Sequence, residues 1–290
     1  MTISPGSISR LSFTLTVIST VILATAWAIA PSIGQAMSSA HFAAAPGGEP
    51  QPASALPEPV SIARINDDLF AVVDYQTLRL WRPSQATFSL PRLVKPPGLE
   101  ARISGPLVEH WHPSGVHFHN GRLYVANYIF HDVLVFELNA EASALSLVDV
   151  LRAPDMVSPE NVAAGAQGVA VADYDASGVF FFTPDGRLAW QDVGLPLAHG
   201  VAMDDAYVYV TTLAGSRKLL RYTLEGRREP VDADFSHLLY PTHLAVSRDA
   251  AGGARLIVLD ANRGTLSFYD GALRKTGEIG ALGPHAFNRP

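Results

Sequence analysis

The sequence predicts an all-β chain folded as a single β-propeller, on three observations. Short apolar strands, β-branched or aromatic, are broken about every 8–12 residues by Gly, Pro, Asn or Asp. The same line recurs five times: a polar or Pro/Gly start, an apolar strand, a tight turn and a second alternating strand. The recurrences start near Glu58, Pro113, Glu160, His199 and His243, so successive gaps are 55, 47, 39 and 44 residues. A period of roughly 40–45 residues with several short strands per unit is the mark of a propeller blade.

The chain opens on a segment that stands apart from these repeats. Residues 11–30 carry no charge and follow the single basic residue Arg10. That pattern predicts a hydrophobic helix acting as a secretory signal or as an uncleaved anchor. Gly34-Gln35-Ala36 offers a small-residue cleavage site, so the segment is bounded at residues 1–36. The expected location is periplasmic or secreted, with residues 11–30 tethering the protein to a membrane if they are retained. Residues 37–57, rich in Pro, Ala and Gly, read as a flexible linker.

The propeller is expected over residues 58–290. The second strands of the units are Leu69-Phe-Ala-Val-Val-Asp74, Leu123-Tyr-Val-Ala-Asn127, Val169-Ala-Val-Ala-Asp173, Val208-Tyr-Val-Thr-Thr212 and Leu256-Ile-Val-Leu-Asp260. The third strands are Leu78-Arg-Leu-Trp81, Val133-Leu-Val-Phe136, Val179-Phe-Phe-Phe182, Leu219-Leu-Arg-Tyr222 and Leu266-Ser-Phe-Tyr269. Asn120-Gly121, Asp185-Gly186, Gly252-Gly253 and Asp270-Gly271 sit where hairpins need turns. The repeats imply five or six four-stranded blades. The tail Gly283-Pro-His-Ala-Phe-Asn-Arg-Pro290 either closes the first blade, giving five, or the long stretch Ser84–Trp111 supplies strands for a sixth.

Composition narrows the function. The 290 residues are 48 % hydrophobic and 17 % charged with a net charge of −6, so a well-filled core is expected and a nucleic-acid footprint is not. A membrane is expected as a partner only through the N-terminal segment. Cysteine is absent, which excludes disulfides and thiolate metal sites.

In a propeller the first residues of each inner strand ring the channel mouth. Here they are Glu58, Ser114, Glu160 with Asn161, His199, and Thr242 with His243; His285 in Gly283-Pro-His-Ala286 has the same local pattern. Carboxylate, amide, hydroxyl and imidazole groups converging from distant parts of the chain are what a metal or an acid–base pair requires. His110, His112, His117 and His119 form a second cluster. His117 and His119 fall on one face of a strand, but without a third ligand they read as solvent-facing or inter-blade residues.

From His112 to Asp270 the order of units resembles that of the paraoxonase/arylesterase family, which belongs with the gluconolactonase and strictosidine-synthase-like propellers. The resemblance lies in His112-Pro-Ser-Gly-Val116, Val157-Ser-Pro-Glu-Asn-Val-Ala-Ala-Gly165, Leu197-Ala-His-Gly-Val201 with its Tyr-rich following strand, and Tyr240-Pro-Thr-His-Leu-Ala-Val246. It implies a calcium-dependent esterase or lactonase of small molecules with its site in the central channel. Glu58, Glu160 and Asn161 would be metal ligands, with Ser114, Thr242 and His285 lining the channel. His199 and His243 would be catalytic; as ligands, two imidazoles would favour zinc or another transition metal over calcium. A three-imidazole centre of His199, His243 and His285 is a second possibility, and a non-catalytic binding propeller with a degenerate metal site is the third.

Overall fold

The computed structural model describes residues 51–52, 59–99, 102–103, 105–215, 218–231, 233–248 and 253–280. Among them five sheets follow one another along the chain, and each is a blade. Blade 1 comprises Ser61–Asn66, Leu69–Val73, Leu78–Arg82 and Thr87–Ser89, with Gln51–Pro52 paired onto its outer edge. Blade 2 comprises Pro113–His119, Arg122–Asn127, Asp132–Leu138 and Ala144–Leu151, and Arg92–Val94 adds a parallel edge strand. Blade 3 comprises Pro159–Gly165, Gly168–Asp173, Gly178–Phe182 and Leu188–Val193. Blade 4 comprises Ala198–Met203, Tyr207–Thr212, Leu219–Thr223 and Arg228–Glu229; blade 5 comprises Pro241–Arg248, Ala254–Asp260, Thr265–Tyr269 and Lys275–Ile279.

The architecture is therefore a five-bladed propeller, and the six-bladed alternative is set aside. The stretch from Ser84 to Trp111 forms no blade of its own. Its strands Thr87–Ser89 and Arg92–Val94 complete the outer edges of blades 1 and 2. The expected N-terminal helix, Glu58 and the tail with His285 all lie outside the described residues. Among the described residues no helix is long and apolar enough to cross a membrane.

The cores lie between blades, which explains the apolar runs. Phe180 and Phe182 pack with Val133 and Val135 of blade 2, while Val179 and Phe181 pack with Val208, Val210 and Tyr222 of blade 4. A strand buried on both faces has no polar side to alternate with. The hairpin between the first two strands of blade 2 turns through Asn120 (φ 47°) and Gly121 (φ 79°), the pair of positive dihedrals that a tight two-residue hairpin demands.

In blades 2, 3 and 5 the opposite end is clamped by a polar residue closing the second strand. Asp173 accepts hydrogen bonds from the Val157 (2.8 Å), Ser158 (2.9 Å) and Ala176 (2.9 Å) amides. Asn127 accepts from the His112 amide (2.6 Å) and donates to the His110 carbonyl (3.1 Å); Asp260 accepts from the Leu239 (2.5 Å), Tyr240 (3.1 Å) and Arg263 (3.1 Å) amides. These clamps fix where the chain enters the inner strands of those three blades.

Candidate functional site

Each inner strand of blades 2–5 is irregular at its first residues, just past Pro113, Pro159, Ala198 and Pro241, which pair with Asn127, Asp173, Thr212 and Asp260. Such bulges re-aim side chains. Two rows result: Ser114, Glu160, His199 and Thr242 occupy the first, and Gly115, Asn161, Gly200 and His243 the second.

Most of these polar groups join one blade to the next. The Ser61 hydroxyl accepts a hydrogen bond from the Val116 amide (3.2 Å), linking blades 1 and 2. Ser114 Oγ donates to the Pro159 carbonyl (2.7 Å), and Asn161 Nδ2 donates to the His199 carbonyl (3.1 Å). His199 Nδ1 lies 2.9 Å from the Thr242 carbonyl oxygen and donates to it. The His243 imidazole meets the Val60 carbonyl and so joins blade 5 back to blade 1. One polar link thus spans every joint of the ring. Backbones approach closely enough that a Cβ on Gly200 would lie 2.6 Å from Thr211 Oγ1 and 2.7 Å from the Thr242 carbonyl oxygen.

Within this ring Glu160 is the chemically distinctive group. It is buried, accepts a hydrogen bond from the Tyr75 hydroxyl (3.0 Å), and its Oε1 lies 3.8 Å from His199 Nε2. Burial pushes its carboxyl up to about 7, opposed by the Tyr75 hydrogen bond and helped by the Asp173 and Asp175 carboxylates. Burial pushes the His199 imidazole down to about 4 and that of His243 to about 3, the latter helped by His199, whose ring centroid is 5.9 Å away. Both imidazoles are neutral at pH 7. With Nδ1–H committed to Thr242, His199 turns a bare Nε2 lone pair toward Glu160.

Aromatic rings surround this core. Tyr75, His112 and Tyr128 form a file with centroids 5.6 and 5.9 Å apart, and Tyr174 stands edge-on to His199 at 6.1 Å. The sequence singles out neither Tyr75 nor Tyr128, and His112 only within the second histidine cluster. The signal was present as Asp74-Tyr75, Asn127-Tyr128 and Asp173-Tyr174, a tyrosine following the polar residue at the end of the second strand in three consecutive blades. Tyr75 sits at φ 64°, a left-handed conformation costly for a bulky side chain and held here by the turn that Asp74 caps.

The structure brings Glu160, Asn161, His199, Thr242 and His243 together and places Ser114 in the ring as a blade link. Among the described residues no three His, Asp or Glu side chains converge as metal ligands. Among the described residues Glu160 is the one carboxylate of the ring, Asn161 keeps its Oδ1 as a possible oxygen donor while its Nδ2 donates to a carbonyl, and the His199 imidazole is tied to Thr242. The described side chains alone fall short of the six to eight oxygens that calcium requires, and the expected ligand Glu58 lies outside the described residues. The second histidine cluster disperses. His110 contacts Asp132 (2.7 Å), His112 joins the tyrosine file, His117 meets the Ala164 carbonyl, and His119 lines a cleft of about 590 Å³ at the far ends of blades 2 and 3.

These shifts predict the pH dependence of stability. Folded Glu160 holds its proton between 4.5 and about 7, where the unfolded chain has lost it, so stability falls as pH rises through that window. Folded His199 and His243 stay unprotonated below 6.5, where unfolded histidines take up protons, so stability also falls as pH drops from 6.5 toward 4. Stability should therefore peak near neutrality. Denaturant unfolding of wild type and Glu160→Gln at several pH values tests the Glu160 contribution: the variant should gain on wild type from pH 5 to pH 8. A constant difference would remove Glu160 from this account.

No family model matches the chain, and no curated protein matches its sequence. Solved structures do match in fold. A candidate 6-phosphogluconolactonase from Bacteroides uniformis is 16 % identical with a TM-score of 0.52, covering 77 % of this chain and 71 % of its own. Virginiamycin B lyase from Staphylococcus aureus, solved with quinupristin, is 10 % identical with a TM-score of 0.53, covering 78 % and 71 %. A chain of the nidogen/laminin complex is 14 % identical with a TM-score of 0.57, covering 80 % and 82 %. A lactonase by name, a lyase and a chain of a nidogen/laminin complex all match, so the likeness is one of fold.

Proposed function

We propose that the channel mouth is the active site of a hydrolase that opens a lactone or cleaves an ester, with Glu160 as general base. The observation that carries this reading is a buried carboxyl raised to about 7 between a phenol and a neutral imidazole. A base poised near the working pH is what proton abstraction from water needs. Ionised Glu160 takes one proton from a water as its oxygen adds to the substrate carbonyl carbon. The tetrahedral intermediate then expels the ring or ester oxygen, which receives that proton from Glu160. A lactone yields one hydroxy acid; an ester yields an acid and an alcohol. His199 Nε2 accepts a hydrogen bond from the attacking water and orients it. His243 acts as a positioning residue beside His199.

The lactonase name carried by one solved neighbour supports the reaction class. The proposed chemistry is carried by Glu160 and His199. The uncharged segment 11–30 supports export of the protein. Assay of the full chain against a panel of lactones and aryl esters, with and without chelator, is the direct test. Chelator-insensitive turnover is expected, and silence across the panel would end the reading.

A second reading, a binding propeller without catalysis, is favoured by the polar links spent on blade joints. On that reading His243→Ala would lower the melting temperature and leave ligand affinity unchanged.

A further inference from the structure

We infer that the channel mouth recognises a substituted ammonium group, held across the rings of Tyr75, His112 and Tyr128 against the Glu160 carboxylate. This rests on the mouth being a ligand site and is independent of its being hydrolytic.

Three features converge on a cation. The first is the ring file, whose neighbouring centroids lie 5.6 and 5.9 Å apart at 37° and 41°. Rings set in this way offer electron-rich faces, and alkylated ammonium groups bind such faces because their charge is diffuse and weakly hydrated. Tyr75 connects this file to Glu160 through its hydroxyl, so rings and carboxyl form one surface.

The second is the balance of charge. Glu160 is faced by the Tyr75 phenol from blade 1, by Asp173 and Asp175 of its own blade, and by the neutral His199 from blade 4. Tyr75 in turn feels Glu160 and the phenols of Tyr128 and Tyr240. Every charge acting on Glu160 is a carboxylate. Asp173 is neutralised only by amide dipoles, and Asp175 accepts from the Ser158 hydroxyl (2.6 Å) and the Tyr128 hydroxyl (3.4 Å). A cation would relieve this repulsion, and a phosphate would add to it.

The third is unspent polarity. Among the described residues Thr242 Oγ1 and His243 Nδ1, deeper in the ring, are buried without a hydrogen-bond partner, and the His112 imidazole, inside the ring file, meets its own backbone carbonyl. Native proteins leave few such atoms unmatched unless a ligand or water meets them.

Calorimetry on the full chain with tetramethylammonium and choline, in buffers of different ionisation heat, tests the assignment. A bound cation ionises Glu160, so binding should release about half a proton at pH 7 and nearly one at pH 6. Glu160→Gln should abolish proton release and weaken binding. Tyr128→Leu, which leaves the carboxyl in place, should weaken binding by about tenfold while keeping the proton release. Glucose 6-phosphate should give no saturable heat. Absence of saturable tetramethylammonium binding, or binding unaffected by both substitutions, overturns the inference. Cation binding without turnover of any ester removes the hydrolase reading alone, and turnover without cation binding removes this one alone.

Discussion

Replacing Gly200 by Ala should lower stability by about 3 kcal/mol, near the top of what overpacking costs, and the melting temperature by roughly 6–12 °C. The reason is contact with backbone, which cannot rotate away. The new Cβ would meet the Thr242 carbonyl oxygen at 2.7 Å and His243 Cα at 3.1 Å, both on the neighbouring blade, and Thr211 Oγ1 at 2.6 Å. Thr211 Oγ1 also accepts the Gly200 amide (3.0 Å), so rotating it away sacrifices a buried hydrogen bond. Relief by parting the inner strands of blades 4 and 5 would lengthen the bond from His199 to the Thr242 carbonyl. Gly280→Ala, where no atom of the described residues lies within 4 Å, is the control and should be nearly neutral. Differential scanning of both variants checks the claim. Equal melting temperatures would show that the joint between blades 4 and 5 is slack.

The same joint shows why the architecture was legible in the sequence and the site only partly so. Strands such as Val179-Phe-Phe-Phe182 and Val208-Tyr-Val-Thr-Thr212 declare themselves because a blade packed on both faces demands a continuous apolar run. Blade number was harder. The strands Thr87–Ser89 and Arg92–Val94 look locally like the start of another unit, and only their pairing to blades 1 and 2 reveals them as edges.

At the mouth, sequence spacing placed Ser114, Glu160, His199 and His243 in one phase. The bulges in blades 2–5 divide them into two rows, and a one-residue slip sends a side chain elsewhere. Aligning Pro113, Pro159, Ala198 and Pro241 recovers those rows: Glu160 then matches His199 and Thr242, whereas His243 matches Asn161 and Gly200. What no alignment supplies is the elevation of Glu160. That comes from burial created by the closed ring, with Asp173 and Asp175 adding to it and the hydroxyl of Tyr75, 85 positions away, holding it in check.

Glu160→Gln tests the chemistry most severely. If the carboxylate is the base, the substitution should lower kcat on the best lactone or ester by about 10²–10⁴-fold with little change in KM, since the amide keeps size and polarity but takes up no proton. The pH profile separates this from a structural effect. Wild-type kcat/KM should climb with pH through about 7 as free Glu160 ionises, and the residual activity of the variant should lack that limb. Tyr75→Phe should move the limb upward, because the Tyr75 hydroxyl stabilises the ionised carboxyl and its loss leaves burial unopposed. A role confined to holding blades together would instead lower kcat and melting temperature in parallel and leave the limb where it was. Retention of activity within tenfold in Glu160→Gln, or a limb unmoved by Tyr75→Phe, would pass the role of base to the bare Nε2 of His199.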